Sequence, residues 1–295
     1  MIKQQIIKLR DVVILAGILL LAMVAGSIWD YPISQQLYDS QSIFGMFFSA
    51  YGEMPIGCCL ITASVLIFMG HNRERKFIGT IQIVFGVVIA IYGSIVMAIM
   101  PKGYLPFSPI INMSIGAALS VGVAIISVKL FRNADHSTML KVALIFILVI
   151  VVQRFLIDAI KILWERPRMR MIVETPEAYF TPWWTIGSEQ KDKLVAAGVG
   201  KEWFTSFPSS HTANGATAMM LTLLPLLRSK WKHKQSMFFF AGAAWGLMVA
   251  LSRIILGLHF LTDTVVGFTV TLLLLIFFVQ LVYKNKFMDS NNKTD

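Results

Sequence analysis

The sequence is poor in charge: 14% of its 295 residues are Asp, Glu, Lys or Arg, against 56% hydrophobic residues and a mean hydropathy of +0.70. That excludes an ordinary soluble domain, in which about a quarter of residues are charged. Cysteine is almost missing. Cys58 and Cys59 are adjacent inside an apolar run, poorly placed for a disulfide or a metal site, so they say nothing of redox compartment. Carboxylates are also scarce, 16 against 26 basic residues, and none of the motifs below carries an acidic cluster suited to a metal. There is no Gly-rich nucleotide loop, internal repeat or low-complexity tract. A net charge of +10 on a soluble domain would suggest nucleic acid. Here the basic residues fall in short clusters between long apolar runs, the pattern of cytoplasmic loops, so no nucleic-acid partner is expected.

What is present is long apolar sequence. About 20 such residues cross a hydrocarbon core, and eight runs qualify, near 11–29, 44–69, 77–100, 108–130, 139–158, 209–227, 236–256 and 260–283. The fold class expected is all-α, a polytopic membrane bundle of about eight transmembrane helices. Residues 1–138 form an amino-terminal set of spans and residues 139–295 a core that includes an external loop, 159–208. The first run follows Lys3, Lys8 and Arg10 and also has the outline of a signal peptide, with Ala25, Gly26 and Ser27 as a weak cleavage site. Basic residues at the amino-terminal tail, at 71–76, 129–141 and 228–234 and in the tail from Lys284 put those segments in the cytoplasm. The alternate loops, 30–43, 101–107, 159–208 and the turn at 257–259, then face outside. The expected location is a bacterial plasma membrane with both termini cytoplasmic.

Three polar islands interrupt the apolar pattern, each at the outer border of a span: Lys161 to Arg168, Pro208-Ser209-Ser210-His211, and Ser252-Arg253 through His259 to Asp263. Ionisable residues inside a membrane are costly and mark function by default. In a helix His259 and Asp263 stand at i and i+4, so the carboxylate can hold one imidazole nitrogen and leave the other free. Arginine beside an oriented histidine suits a phosphate. The bland alternative is a snorkelling Arg253 and a satisfied helix-end pair. Glu53, near the outer end of the second run, reads as an interface residue reaching water. The Trp183-Trp184 pair reads as interfacial belt or as a wall over the site.

The islands resemble a known family. Ser252-Arg253-x5-His259-x3-Asp263 is similar to the third signature of the type 2 phosphatidic acid phosphatase family, and Pro208-Ser209-Ser210-His211 to its second, with serine in place of glycine. Lys161-x6-Arg168 matches the first, with Met169 where proline is expected; Arg166 and Arg170 are second choices. The match runs from about Lys161 to Gly267.

The resemblance implies catalytic His259, His211 and Asp263, and substrate-binding Lys161, Arg168, Ser209, Ser210 and Arg253. It also implies hydrolysis through a phosphohistidine, without metal or cofactor, since three cations can hold the phosphate oxygens. A site between spans at the outer interface suits a lipid phosphate or isoprenoid diphosphate, such as undecaprenyl diphosphate or phosphatidic acid. The same pocket without chemistry would serve a lipid-phosphate flippase. The two histidines favour the enzyme, because passage needs no nucleophile.

Overall fold

The computed structural model describes residues 6–99 and 108–283. The loop 101–107 and the tail 284–295 lie outside the described residues. Among the described residues there is no strand, and the all-α expectation holds. In chain order the helices are α1 (Leu9–Leu37), α2 (Ile43–Tyr51), α3 (Met54–Gly70), α4 (Lys76–Ile99), α5 (Pro109–Phe131), α6 (His136–Trp164), α7 (Met169–Glu174), α8 (Lys191–Ala196), α9 (Ser210–Ala216), α10 (Leu224–Leu227), α11 (Gln235–Ile255) and α12 (Leu261–Tyr283). Start signals are local. Ser108 and Asp135 accept the Ile111 and Thr138 N–H groups at the heads of α5 and α6.

Among the described residues seven helical stretches are long and apolar enough to cross a membrane, with α2 and α3 joined end to end as one of them. The chain is an integral membrane protein. The eighth expected span, 209–227, is instead a buried composite: α9, a 3₁₀ segment over Thr217–Leu223, and α10. Its sequence explains why. Thr217 turns its hydroxyl back onto the Asn214 carbonyl, and Pro225 starts α10 where its missing N–H costs nothing. A 3₁₀ turn rises faster per residue than an α-turn, so this short segment still reaches about 30 Å.

The composite packs against α11, α12, α3 and α6, and carries much of the core with them. Glycine permits the closeness: a Cβ at Gly242 on α11 would collide with the Ala218 carbonyl, and one at Gly267 on α12 with the Ser209 carbonyl. By contrast α4 and α5 expose most of their length.

α1 differs from expectation at its end. The helix continues past residue 29 to Leu37, kinked at Trp29 (φ −124°, ψ 22°) ahead of Pro32. Asp30, expected in an outer loop, is therefore inside a helix and buried. Helix α1 runs on through Ala25–Ser27 and packs on α12 and α11, and Ser27 accepts the Trp183 indole N–H at 2.9 Å.

Candidate active site

The three islands meet at one end of the bundle, and the chain turns explain how. Helix α6 stops at Glu165, which takes the left-handed conformation (φ 49°) and closes its N–H on the Lys161 carbonyl. Helix α11 stops at Gly257 (φ +66°), where the Leu258 and His259 amides both return to the Arg253 carbonyl. A side chain at Gly257 would be strained and would also meet the Tyr38 ring. The two turns are tied together, since the Arg170 amide donates to the Gly257 carbonyl at 2.7 Å.

His259 is buried, with Nδ1 2.6 Å from the Ser206 carbonyl and 3.7 Å from Asp263 Oδ2. A carbonyl can only accept, so Nδ1 carries the hydrogen and Nε2 keeps a lone pair. The hydrogen bond to the imidazole is thus made by a backbone oxygen, where the spacing alone suggests the carboxylate. Asp263 is occupied otherwise. Its Oδ2 accepts the Ser206 hydroxyl at 2.5 Å and the Phe260 amide at 2.8 Å, capping α12, and its Oδ1 takes Arg166 Nη1 at 2.5 Å. Asp263 therefore fixes Ser206, and Ser206 orients His259. Burial pushes the His259 imidazole down to about 3, although the Asp263 carboxylate pulls the other way. The ring is neutral at ordinary pH.

Lys161 and Arg168 converge on one residue: Lys161 Nζ donates to the Thr205 carbonyl at 2.5 Å and Arg168 Nη2 to the Thr205 hydroxyl at 3.2 Å. Thr205 is next to Ser206, so both cations stand beside the backbone that holds His259. Arg253 is buried on the last turn of α11, with Nη1 2.6 Å from Ser49 Oγ. Ser209 caps α9, accepting from the Thr212 amide and hydroxyl at 3.3 and 3.0 Å, and is buried, while Ser210 and His211 follow half-buried in the first turn. Among the described residues no three His, Cys, Asp or Glu side chains are grouped to hold a metal.

Arg166 and Arg170 go elsewhere. Arg166 is fully buried: it bonds Asp30 Oδ2 at 2.9 Å, Asp263 Oδ1, the Thr262 hydroxyl at 2.9 Å and the Thr181 carbonyl at 2.8 Å. The Phe260 and Phe180 rings lie 4.4 and 5.3 Å from its guanidinium carbon. Arg170 pairs with Glu174 one turn along at 2.6 Å, on the surface.

Glu53 corrects its sequence reading. It does not simply reach for water: Oε1 accepts from Asn214 Nδ2 at 2.6 Å and stands 3.8 Å from His211 Nδ1, because the break between α2 and α3 turns it inward against α9. Trp183 stacks on Phe207 and Trp184 is exposed, so only the second has the setting of a belt residue. Sequence reasoning missed Asp30, Ser49, Thr205 and Ser206. Asp30 carried a signal, a carboxylate at the edge of an apolar run. Ser206 meets His259 through its backbone carbonyl and carried none.

The comparisons with known proteins bear on the family. Residues 142–287 match the sequence profile of the PAP2 superfamily. Sphingosine-1-phosphate phosphatase 1 of Rattus norvegicus is 34% identical over 89 residues, 30% of this chain and 20% of that protein. Phosphatidylglycerophosphatase B of Bacillus subtilis (strain 168) is 39% identical over 75 residues, 23% of this chain and 35% of that protein. No solved structure matches. The matched stretches thus span about a fifth to a third of these relatives' length. The profile takes in all three islands and every helix from α7 to α12, and on that ground residues 142–287 belong to the PAP2 superfamily.

Proposed function

We propose that the protein hydrolyses the phosphate monoester or diphosphate of a membrane lipid, without a metal ion, through a phosphohistidine on His259. The observation that carries this reading is the fixed tautomer of His259, with Nδ1–H held by the Ser206 carbonyl and Lys161 and Arg168 both anchored on the neighbouring Thr205. His259 Nε2 attacks phosphorus with its lone pair and the P–O bond to the lipid breaks. His211 gives its proton to the departing oxygen. In the second half His211 takes a proton from water, the hydroxide attacks the phosphohistidine, and phosphate leaves with His259 restored. Lys161, Arg168 and Arg253 hold the phosphoryl oxygens and their developing charge, the work otherwise given to magnesium.

The names of the relatives support a lipid monophosphate as the substrate class. The islands sit at span ends, so the headgroup enters while the tail stays in the bilayer. The loop before α9 faces outside, by the distribution of basic residues.

Phosphate release by the purified protein from phosphatidic acid, phosphatidylglycerophosphate, sphingosine 1-phosphate and undecaprenyl diphosphate, with and without EDTA, tests the activity. Release unaffected by EDTA is expected from at least one; loss in EDTA with recovery in magnesium would overturn metal independence. Glu189→Cys, exposed between α7 and α8, should react with an impermeant maleimide on intact cells lacking Cys58 and Cys59. Reaction only after permeabilisation would reverse the orientation.

A further inference from the structure

We infer that Glu53, on the amino-terminal side of the matched segment, is a positioning residue for His211: its carboxylate orients the ring through Nδ1 and favours the protonated form. This rests on the reading of His211 as the group that gives and takes the proton.

The placement is built from several sides. Glu53 stands in the two-residue break between α2 and α3. The backbone there is pinned, since the Gly52 carbonyl accepts the Trp245 indole N–H at 2.9 Å and the Gly52 amide returns to the Phe48 carbonyl. The carboxylate points at α9, where His211 and Asn214 lie three residues apart and so share a face.

Glu53 Oε1 takes Asn214 Nδ2 at 2.6 Å, Asn214 Oδ1 takes Gln153 Nε2 at 2.8 Å, and Gln153 Oε1 takes the Thr271 hydroxyl at 2.7 Å. A carboxylate only accepts, so it sets the direction of the whole chain of amides. That chain crosses α9, α6 and α12 in the apolar interior, where an unsatisfied amide is costly. The network therefore holds the carboxylate in one place, and that place is 3.8 Å from His211 Nδ1. At that distance the contact is electrostatic. It strengthens when the ring becomes an imidazolium.

The surroundings give this charge a task. The groups bearing electrostatically on His211 include Arg253 of α11, Arg168 and Lys161 beside Thr205, and the ring of His259; Arg253 and Arg154 also bear on Glu53. Burial and these cations, which suit a phosphate, both disfavour a positive charge on the ring. A general acid must nonetheless carry a proton, and Glu53 offsets the opposition. It also assigns Nδ1 as the protonated nitrogen, leaving Nε2 as the one that exchanges its proton.

Glu53→Gln keeps the side-chain length and an oxygen for Asn214 while removing the charge. With ring-15N histidine, and His211 assigned by loss of its signal in His211→Asn, the substitution should lower the His211 titration midpoint by about one pH unit, with Glu53→Asp in between. In kinetics, kcat on phosphatidic acid, whose alkoxide leaves poorly, should fall by about ten- to a hundredfold, and its alkaline limb, where the acid loses its proton, should move to lower pH with the titration. The phosphorylation step on 4-nitrophenyl phosphate, whose leaving group needs little protonation, should change by less than about threefold by the same argument. An unmoved titration, or equal loss on both substrates, would overturn the inference. If Glu53→Gln does not fold, Glu53→Asp should still show the smaller, leaving-group-selective loss. A wild-type protein that releases phosphate from neither substrate sinks the phosphatase reading, and the titration alone then decides Glu53.

Discussion

The two halves of the molecule contribute different things to one site. The carboxy-terminal half supplies every residue of the three signatures, grouped at turns where α6, α9, α11 and α12 begin or end. The amino-terminal half supplies none, yet Asp30 of α1 reaches Arg166, Ser49 of α2 reaches Arg253, and Glu53 reaches His211. Two of these are carboxylates and one a hydroxyl, each set against a cation or an imidazole of the other half. On the proposed reading the signatures carry the groups that meet the phosphate. The groups that fix them in place can come from any element that packs nearby.

The contrast predicts two kinds of failure, and the largest is chemical. His259→Ala removes the nucleophile and should abolish turnover of every substrate, with the protein still extracted and eluting as the wild type. His211→Ala should instead accumulate alkali-stable phosphoenzyme from a labelled diphosphate, because the water has lost its base. Label in the His259 variant and none in the His211 variant would exchange the two roles. Arg168→Ala comes next, with a loss of about 10²–10³-fold in kcat and a smaller fall in thermal midpoint than Arg166→Ala, because Arg168 is half-buried where Arg166 is fully buried. An equal loss for Arg166→Ala at unchanged midpoint would move the phosphate clamp to Arg166.

Breaking the link between halves should be structural first. Arg166→Ala leaves Asp30 and Asp263 facing each other as buried carboxylates without their shared cation, and losing one partner of a buried pair costs about 3–5 kcal/mol. Asp30→Asn keeps the shape and most hydrogen bonds to Thr262 and Arg166. It should cost less, about 1–3 kcal/mol, read as a lowered unfolding midpoint in detergent. If Asp30→Asn lowered kcat with no loss of stability, Asp30 would belong to the chemistry and the division between the halves would fail.

Much of this was legible in the sequence. Apolar run lengths gave the long helices, and the spacing of charges in the three islands gave the residues that converge. What was not legible is instructive. The 209–227 run has the composition of a span, but its Thr, Asn, Gly and Pro residues shift it to a buried 3₁₀ composite that only packing reveals. The i, i+4 spacing of His259 and Asp263 suggested a direct bond, and the Ser206 carbonyl intervenes because residue 206 arrives from a distant loop. Glu53 faces His211 only because two helices break at Gly52. No local pattern encodes a partner 158 residues away.

The smallest effect predicted concerns Arg170, and it sharpens the comparison because three arginines lie within five residues. Arg166 enters the interior and joins the halves, Arg168 turns to Thr205, and Arg170 turns outward to Glu174 on the same short helix. An exposed i, i+4 pair is worth about 0.3–0.5 kcal/mol, since both groups keep much of their water and each loses side-chain freedom to meet the other. The tie between α7 and the Gly257 turn runs through the Arg170 backbone amide, which alanine retains. Arg170→Ala should therefore leave the unfolding midpoint within about a degree or two and kcat within about twofold on any substrate the wild type hydrolyses. A loss near that of Arg168→Ala would mean that the helix reorients when lipid binds and brings Arg170 to the phosphate. The single variant Glu174→Ala, with Arg170 intact, separates the outcomes: a side chain with only a surface partner leaves activity unchanged, whereas an arginine restrained by Glu174 from reaching phosphate gains activity when freed.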